Sequence, residues 1–116
     1  MAAIAPLTHG GRERLPQRRA HELLEFEHAG IPYVAGVGRF ADGRLAEIFL
    51  NAGKVGAAIE THARDAAITV SLLLQHGCPP ETIRHALTRN RDGTAAGPLG
   101  MLLDRLAADN ANSQRG

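Results

Sequence analysis

Four groups of residues have the types and spacing that chemistry could use. Cys78, the only cysteine, stands just before Pro79-Pro80-Glu81, with His76 two residues upstream. A nucleophilic thiol needs a lowered pKa, which a helix N-terminus and a nearby imidazole can supply. His62, Asp65, Thr69 and His76 form a polar strip at helical spacing and include ligand types of a metal site. Gly53-Lys54-Val55-Gly56 joins a strand-like stretch to a helix-like one, so backbone N–H groups and one ammonium can converge on an anion. Arg89 and Arg91, in the polar run 88–96, could fold back over that turn as a second phosphate clamp.

Elementary arguments narrow these options. At ~1.5 Å per residue, His62 and His76 lie about 21 Å apart along a helix, too far to share one ion. His62 and Asp65 alone offer two ligands, so no metal is expected. Cys78 has apolar neighbours and no evident base–orienter pair, the setting of a small buried hydrophobe. The glycine turn lacks the GxxxxGK[ST] spacing of a P-loop. The expectation is therefore no catalytic residue and no cofactor. It keeps a weak anion site at Gly53, Lys54 and Gly56, tightened by Arg89 and Arg91. One such cluster implies binding of roughly millimolar to high-micromolar strength. Without a ligand, the glycines simply serve the turn and the three cations are solvated.

The elements that must position these groups follow from periodicity. Arg44–Asn51 reads as a strand through Ile48, Phe49 and Leu50, ended by Asn51-Ala52-Gly53. A long helix then begins near Ala57. Ile59, Ala63, Ala66, Val70 and Leu73 share one stripe, while Glu60, Arg64, Ser71 and Gln75 fall opposite. Gly77 is placed to stop it and Pro79-Pro80 to start a second helix buried through Ile83, Ala86 and Leu87. Upstream, Leu24 and Phe26 alternate with Glu25 and Glu27. After the Ala29-Gly30 turn, Tyr33, Ala35 and Val37 alternate with Val34, Gly36 and Gly38. Asp42-Gly43 predicts a type I′ hairpin, which needs positive φ at both positions. Downstream, Leu99, Leu102, Leu103 and Leu106 mark a third helix. The predicted fold is α+β: a three-stranded antiparallel meander, then three helices packed on one face.

Some of these residues carry a resemblance. Glu47-Ile48-Phe49-Leu50-Asn51, Lys54-x-Gly56 and the run from Ser71 to Thr82 (SLLLQHGCPPET) resemble a C-terminal segment of adenosylcobalamin-dependent, class II ribonucleoside-diphosphate reductases. That segment, the TSCPD domain, lies outside the radical-bearing barrel and also occurs in small stand-alone proteins. The Thr-Ser-Cys-Pro-Asp string that names it is absent, and Ala96-Gly97-Pro98-Leu99-Gly100 stands in its place. The resemblance implies an accessory or binding module. Reduction like the family's would need a radical cysteine, a reducing cysteine pair and a cobalamin site. In the reductases the position of Cys78 is commonly valine.

Composition sets the remaining bounds. The 116 residues suit one domain, expected over 20–108, with a disordered basic tail over 1–19 and a frayed polar end over 109–116. The tail carries Arg12, Arg14, Arg18 and Arg19 against Glu13, hence +3, while 21–108 holds eight basic and ten acidic residues, hence −2. No aromatic accompanies those arginines, so a solubilising arm is favoured over nucleic-acid contact. One cysteine excludes an internal disulfide. No stretch is apolar for long enough to cross a membrane, and Met1–Leu15 lacks a signal-peptide core, so a cytoplasmic location is expected. Two functional classes stand. One is a non-catalytic module that contacts a larger protein (a reductase among the options), its own copies, or weakly a nucleotide or phosphate. The other is a small reductase-related enzyme or subunit using Cys78. The single cysteine favours the module. Ile68 and Leu72, on a side stripe of the long helix, together with free sheet edges predict a homodimer.

Overall fold

The strands β1 (His21–His28), β2 (Ile31–Arg39) and β3 (Leu45–Asn51) form one antiparallel sheet in the order β1-β2-β3, so the predicted meander is present. The computed structural model describes residues 11–15, 21–53 and 56–115. Register sorts the side chains as the alternation implied. Leu24 lies opposite Ala35, Ala35 opposite Leu50, and Val37 opposite Ile48, all directed to the core. Phe26 stacks on its partner Tyr33, with ring centroids 5.5 Å apart.

The turns exchange the roles the sequence suggested. The two-residue turn with positive φ at both positions is Ala29 (52°) and Gly30 (79°), flanked by the His28–Ile31 pair. Alanine in that conformation costs about 1–2 kcal/mol. At Asp42-Gly43 the predicted type I′ turn does not form, because only Gly43 is left-handed, at φ 93°. Asp42 instead accepts the Arg44 N–H on Oδ1 at 3.1 Å. The Gly43 N–H donates to the Phe40 carbonyl and the Phe40 N–H to the Arg44 carbonyl, each at 2.9 Å. The longer loop is absorbed by a register shift after Gly38.

Helix α1 (Ala57–Gln75) lies on the core face of the sheet, and its buried residues are Ala63, Ala67, Val70, Leu74 and Gln75. The predicted stripe was displaced: Ile59 and Leu73 are exposed, while Ser71 and Gln75, expected to face solvent, turn towards β3. The cause is polar. β3 is an edge strand, and unpaired edge groups are costly to leave unmet. Ser71 Oγ accepts the Ile48 N–H at 2.8 Å and lies 3.1 Å from the Ile48 carbonyl, to which it donates. Gln75 Nε2 donates to the Ala46 carbonyl at 3.1 Å. Three small residues on the same side, Ala63, Ala66 and Ala67, let the helix come this close.

Gly77 (φ 91°) ends α1 in a Schellman arrangement: the Cys78 N–H reaches the Leu73 carbonyl and the Gly77 N–H the Leu74 carbonyl. Helix α2 (Pro80–Ala86) buries Ile83. Helix α3 (Pro98–Arg115) buries Leu99, Leu102, Leu103 and Leu106 and remains helical through the polar stretch expected to fray. Of the basic tail, the described stretch 11–15 is joined to the domain. The Glu13 N–H donates to the Gln75 carbonyl, Arg12 Nε to Gln75 Oε1, and Arg44 to Glu13. The rest of the tail, with Arg18 and Arg19, lies outside the described residues.

Ser71→Ala tests the edge attachment. It strips Ile48 of its side-chain partner, which costs about 1–3 kcal/mol, while the better helix propensity of alanine returns about 0.5 kcal/mol. Urea unfolding should show a lower midpoint at unchanged slope; an unaltered midpoint would refute the attachment.

Candidate functional site

Of the expected anion site, the two flanking glycines Gly53 and Gly56 are described. Gly53 has φ 68°, a left-handed conformation that suits glycine, and Gly56 is the N-cap of α1 with no side-chain cap bond. The first N–H groups of α1 therefore receive no capping side chain, which is the condition for an anion to approach. Lys54 and Val55 lie outside the described residues.

Arg89 points elsewhere. Its guanidinium meets Asp104 of α3 through two bonds, Nη2 to Oδ1 at 2.7 Å and Nη1 to Oδ2, and also reaches the Arg84 carbonyl at 3.3 Å. Arg84 joins the same carboxylate at 3.2 Å and pairs with Glu81 at 2.8 Å. Four side chains thus tie the α2 region and its following loop to α3. Arg91 is exposed at the tip of a loop closed by the Arg89–Ala95 bridge and by the Asn90 N–H on the Thr94 carbonyl. Asp92, which accepts from Thr94 N and Oγ1, and Gly93 (φ 90°) shape that tip. Arg91 is thus the loop cation that stands apart from the Asp104 clamp.

Cys78 lines a cleft of about 440 Å³ between the β2–β3 loop, the start of α2 and the middle of α3. Leu45, Leu74, Leu103 and Leu106 form its floor and Arg39, Arg44 and Arg84 stand along it. The thiol is half-exposed, and its nearest bonded acceptor is the Pro79 carbonyl at 3.9 Å. His76, considered as its activating partner, directs Nδ1 to the Leu72 carbonyl of its own helix at 2.8 Å. Asp42, Glu81 and Asp104 all have carboxyls lowered from ordinary values by their arginine neighbours, which marks structural ion pairs. His62 lines a second, apolar cavity of about 360 Å³ with Tyr33, Gly97 and Pro98. Among the described residues, no three His, Cys, Asp or Glu side chains converge on a metal-sized volume.

Two arrangements escaped the sequence reading. On the sheet's outer face, Glu47 is buried and its Oε2 lies 2.9 Å from His21 Nε2, with further partners besides. A Cβ on Gly38 would fall 2.6 Å from that Oε2, so this strand glycine exists to make room for the carboxylate. On the same face Leu23, Val34 and Phe49 are exposed across three strands. Phe49 at a position of polar parity was the available signal.

The comparison with known proteins rests on the same elements. The sequence model of the TSCPD domain matches residues 17–108, which span the sheet, α1, α2 and the first turns of α3. The chain belongs to the TSCPD-domain family. It is similar to the vitamin B12-dependent ribonucleotide reductase of Agrobacterium fabrum, 37% identical over 102 residues that cover 88% of this chain and 8% of the relative. The reductase of the same name from Bradyrhizobium diazoefficiens is 38% identical over 88 residues, 76% of this chain and 7% of the relative. That of Rhodopirellula baltica is 32% identical over 80 residues, 69% of this chain and 8% of the relative. The chain thus spans less than a tenth of the length of the curated relatives it matches. No solved structure matches. Set on its proline, the naming string of the TSCPD domain would put its cysteine at Gly97, on the wall of the apolar cavity beside His62.

The clamp that holds α3 of this TSCPD domain has a defined pH response. The Arg89 guanidinium foremost, with Arg84 beside it, keeps the Asp104 carboxyl below its ordinary value of 3.8. A lowered folded value means the contribution is complete above 3.8 and is lost as the pH falls through the folded value. The stability difference between wild type and Asp104→Asn should therefore stay level from about pH 7 to pH 5 and shrink below about pH 4. Chemical unfolding of both proteins across that range measures it, and a difference that grows in acid would contradict the assignment.

Proposed function

We propose that this chain is a non-catalytic binding module that contacts a larger protein, a B12-dependent ribonucleotide reductase being the first partner to try. One observation carries the reading: a chain with a single cysteine matches less than a tenth of reductase relatives. Chemistry like theirs calls for a radical cysteine and a reducing pair. Among the described residues, the bonded partner of Cys78 is the Pro79 carbonyl and not a base, and His76 is occupied by its own helix. A second copy of the chain is a competing partner within the same reading, through Ile68 and Leu72, which are both exposed on α1.

Two additions test the module. The purified chain, given adenosylcobalamin, a dithiol and ribonucleotides, should form no deoxyribonucleotide. Added to a B12-dependent reductase lacking its own TSCPD segment, it should change that enzyme's turnover or co-elute with it. Turnover by the chain alone, abolished in Cys78→Ser, would replace the module with the small-enzyme alternative.

Weak anion binding at Gly53–Gly56 belongs to the same proposal, supported by the uncapped start of α1. Arg89 is engaged by Asp104, so the second cation would come from Arg91. Titration with ATP, dATP and inorganic phosphate should shift the amides of Gly53 and 56–58 at roughly millimolar concentration, and Lys54→Ala should remove the shifts. Shifts that persist unchanged in Lys54→Ala would leave the turn as a turn.

A further inference from the structure

The outer face of the sheet is the least explained surface of the fold. Among the described residues, helices occupy only the opposite face, where the core lies. Along β1 the outward residues are His21, Leu23, Glu25 and Glu27, along β2 Val34, Gly36 and Gly38, and along β3 Glu47 and Phe49. Leu23 is 74% exposed, Phe49 53% and Val34 45%. Leu23, Gly36 and Phe49 are in register across the three strands. With no side chain at Gly36, Phe49 and Leu23 lean over it: a Cβ there would stand 3.3 Å from Phe49 Cδ2 and 3.8 Å from Leu23 Cδ2. The His21 ring extends the patch, 5.5 Å from that of Phe49. The result is one apolar bed, not three scattered side chains.

Charge and width define what fits it. Among the described residues this face carries the exposed carboxylates Glu25 and Glu27 at the β1 side, and neither lysine nor arginine. Two strand spacings separate Leu23 from Phe49, about 10 Å, which is the diameter of one helix with its side chains, about 10–12 Å. A second copy seated face to face would bring neither lysine nor arginine to Glu25 and Glu27, because the described residues of this face carry none. A partner strand would bind at an edge, not across the face.

We infer that this face docks an amphipathic helix of a protein partner, its apolar stripe over Leu23, Gly36 and Phe49 and its lysine or arginine flank beside Glu25 and Glu27. The inference rests on the reading of the chain as a binding module and names the chemistry of what it binds. Layer logic supports it: a sheet with an apolar patch on each face is completed by a helix on each.

The test uses the full chain and a fluorescently labelled 14-residue peptide with leucines on one helical face and lysines on the other. Two controls are a scrambled peptide of equal composition and a version with glutamates for lysines. The Leu/Lys peptide should bind saturably and shift the amides of Leu23, Val34, Gly36 and Phe49. Phe49→Ser and, separately, Leu23→Ser should each weaken it by about tenfold, the effect of roughly 1.4 kcal/mol. Both positions are exposed, so the variants should fold, and unchanged melting curves check that. Glu25→Gln with Glu27→Gln should weaken binding and flatten its salt dependence. Equal binding of the scrambled peptide, shifts confined to α1, or full affinity in Phe49→Ser would each overturn the inference. So would sedimentation showing a dimer that Phe49→Ser disperses, because a second copy would then cover the face. Failure of the peptide leaves the module reading to the reductase assay, which uses no peptide.

Discussion

The fold depends on how one exposed strand edge is satisfied. β3 has a strand on one side only, and its Ile48 and Ala46 peptide groups turn towards α1, where Ser71 and Gln75 meet them. A buried amide group left unmet would cost about 1–3 kcal/mol, a large share of the stability of a domain this small. That requirement fixes the rotation of α1. Once Ser71 and Gln75 face the strand, Ala63, Ala67, Val70 and Leu74 are carried onto the sheet, and Ile59 and Leu73 are carried off it. Gln75 then has its Oε1 and its carbonyl free to receive Arg12 and Glu13. The same helix end therefore anchors both the edge strand and the described part of the N-terminal segment.

Ionic contacts play a second, separate part. Arg84, Arg89, Glu81 and Asp104 gather where α2, the following loop and α3 meet, a region with few large apolar side chains besides Ile83 and the α3 leucines. Exposed pairs of this kind add little individually. Here one carboxylate is shared by two guanidiniums, and the Arg89 fork makes the geometry specific. The consequence for function is that a cation which looked free in the sequence is committed to structure. The cleft beside Cys78 is similarly bordered by arginines that already hold carboxylates, so its positive lining is largely neutralised.

Much of the architecture was legible because periodicity and turn chemistry agreed. Alternation placed Tyr33, Ala35 and Val37 inward, Gly77 marked the end of α1, and the four leucines of α3 gave its buried side. The errors share a cause. The wheel for α1 counted apolar residues, so it put Ser71 and Gln75 outside, although their partners on β3 are long-range and leave no trace in local pattern. The type I′ turn was assigned to Asp42-Gly43 on residue preference, whereas Ala29 adopts positive φ because the tight β1–β2 pairing demands it. Site residues were harder still. Arg89 and Asp104 are fifteen positions apart and meet through helix packing, and Glu47 needs Gly38 on a neighbouring strand, which only register supplies.

The two faces of the sheet are finished in different ways. The inner face is closed by alanine-rich packing and by side chains that satisfy β3, so the unit holds itself together. The outer face combines a buried carboxylate with an uncovered apolar bed, and Gly36 and Gly38 support both features on one strand. Substituting either glycine would alter that surface before it disturbed the core, because both lie on the side away from the helices. A strand that accepts two glycines at a cost in backbone entropy does so for what they allow above it. In this TSCPD domain, what they allow is the Glu47 carboxylate packed over Gly38 and the lean of Phe49 and Leu23 over Gly36.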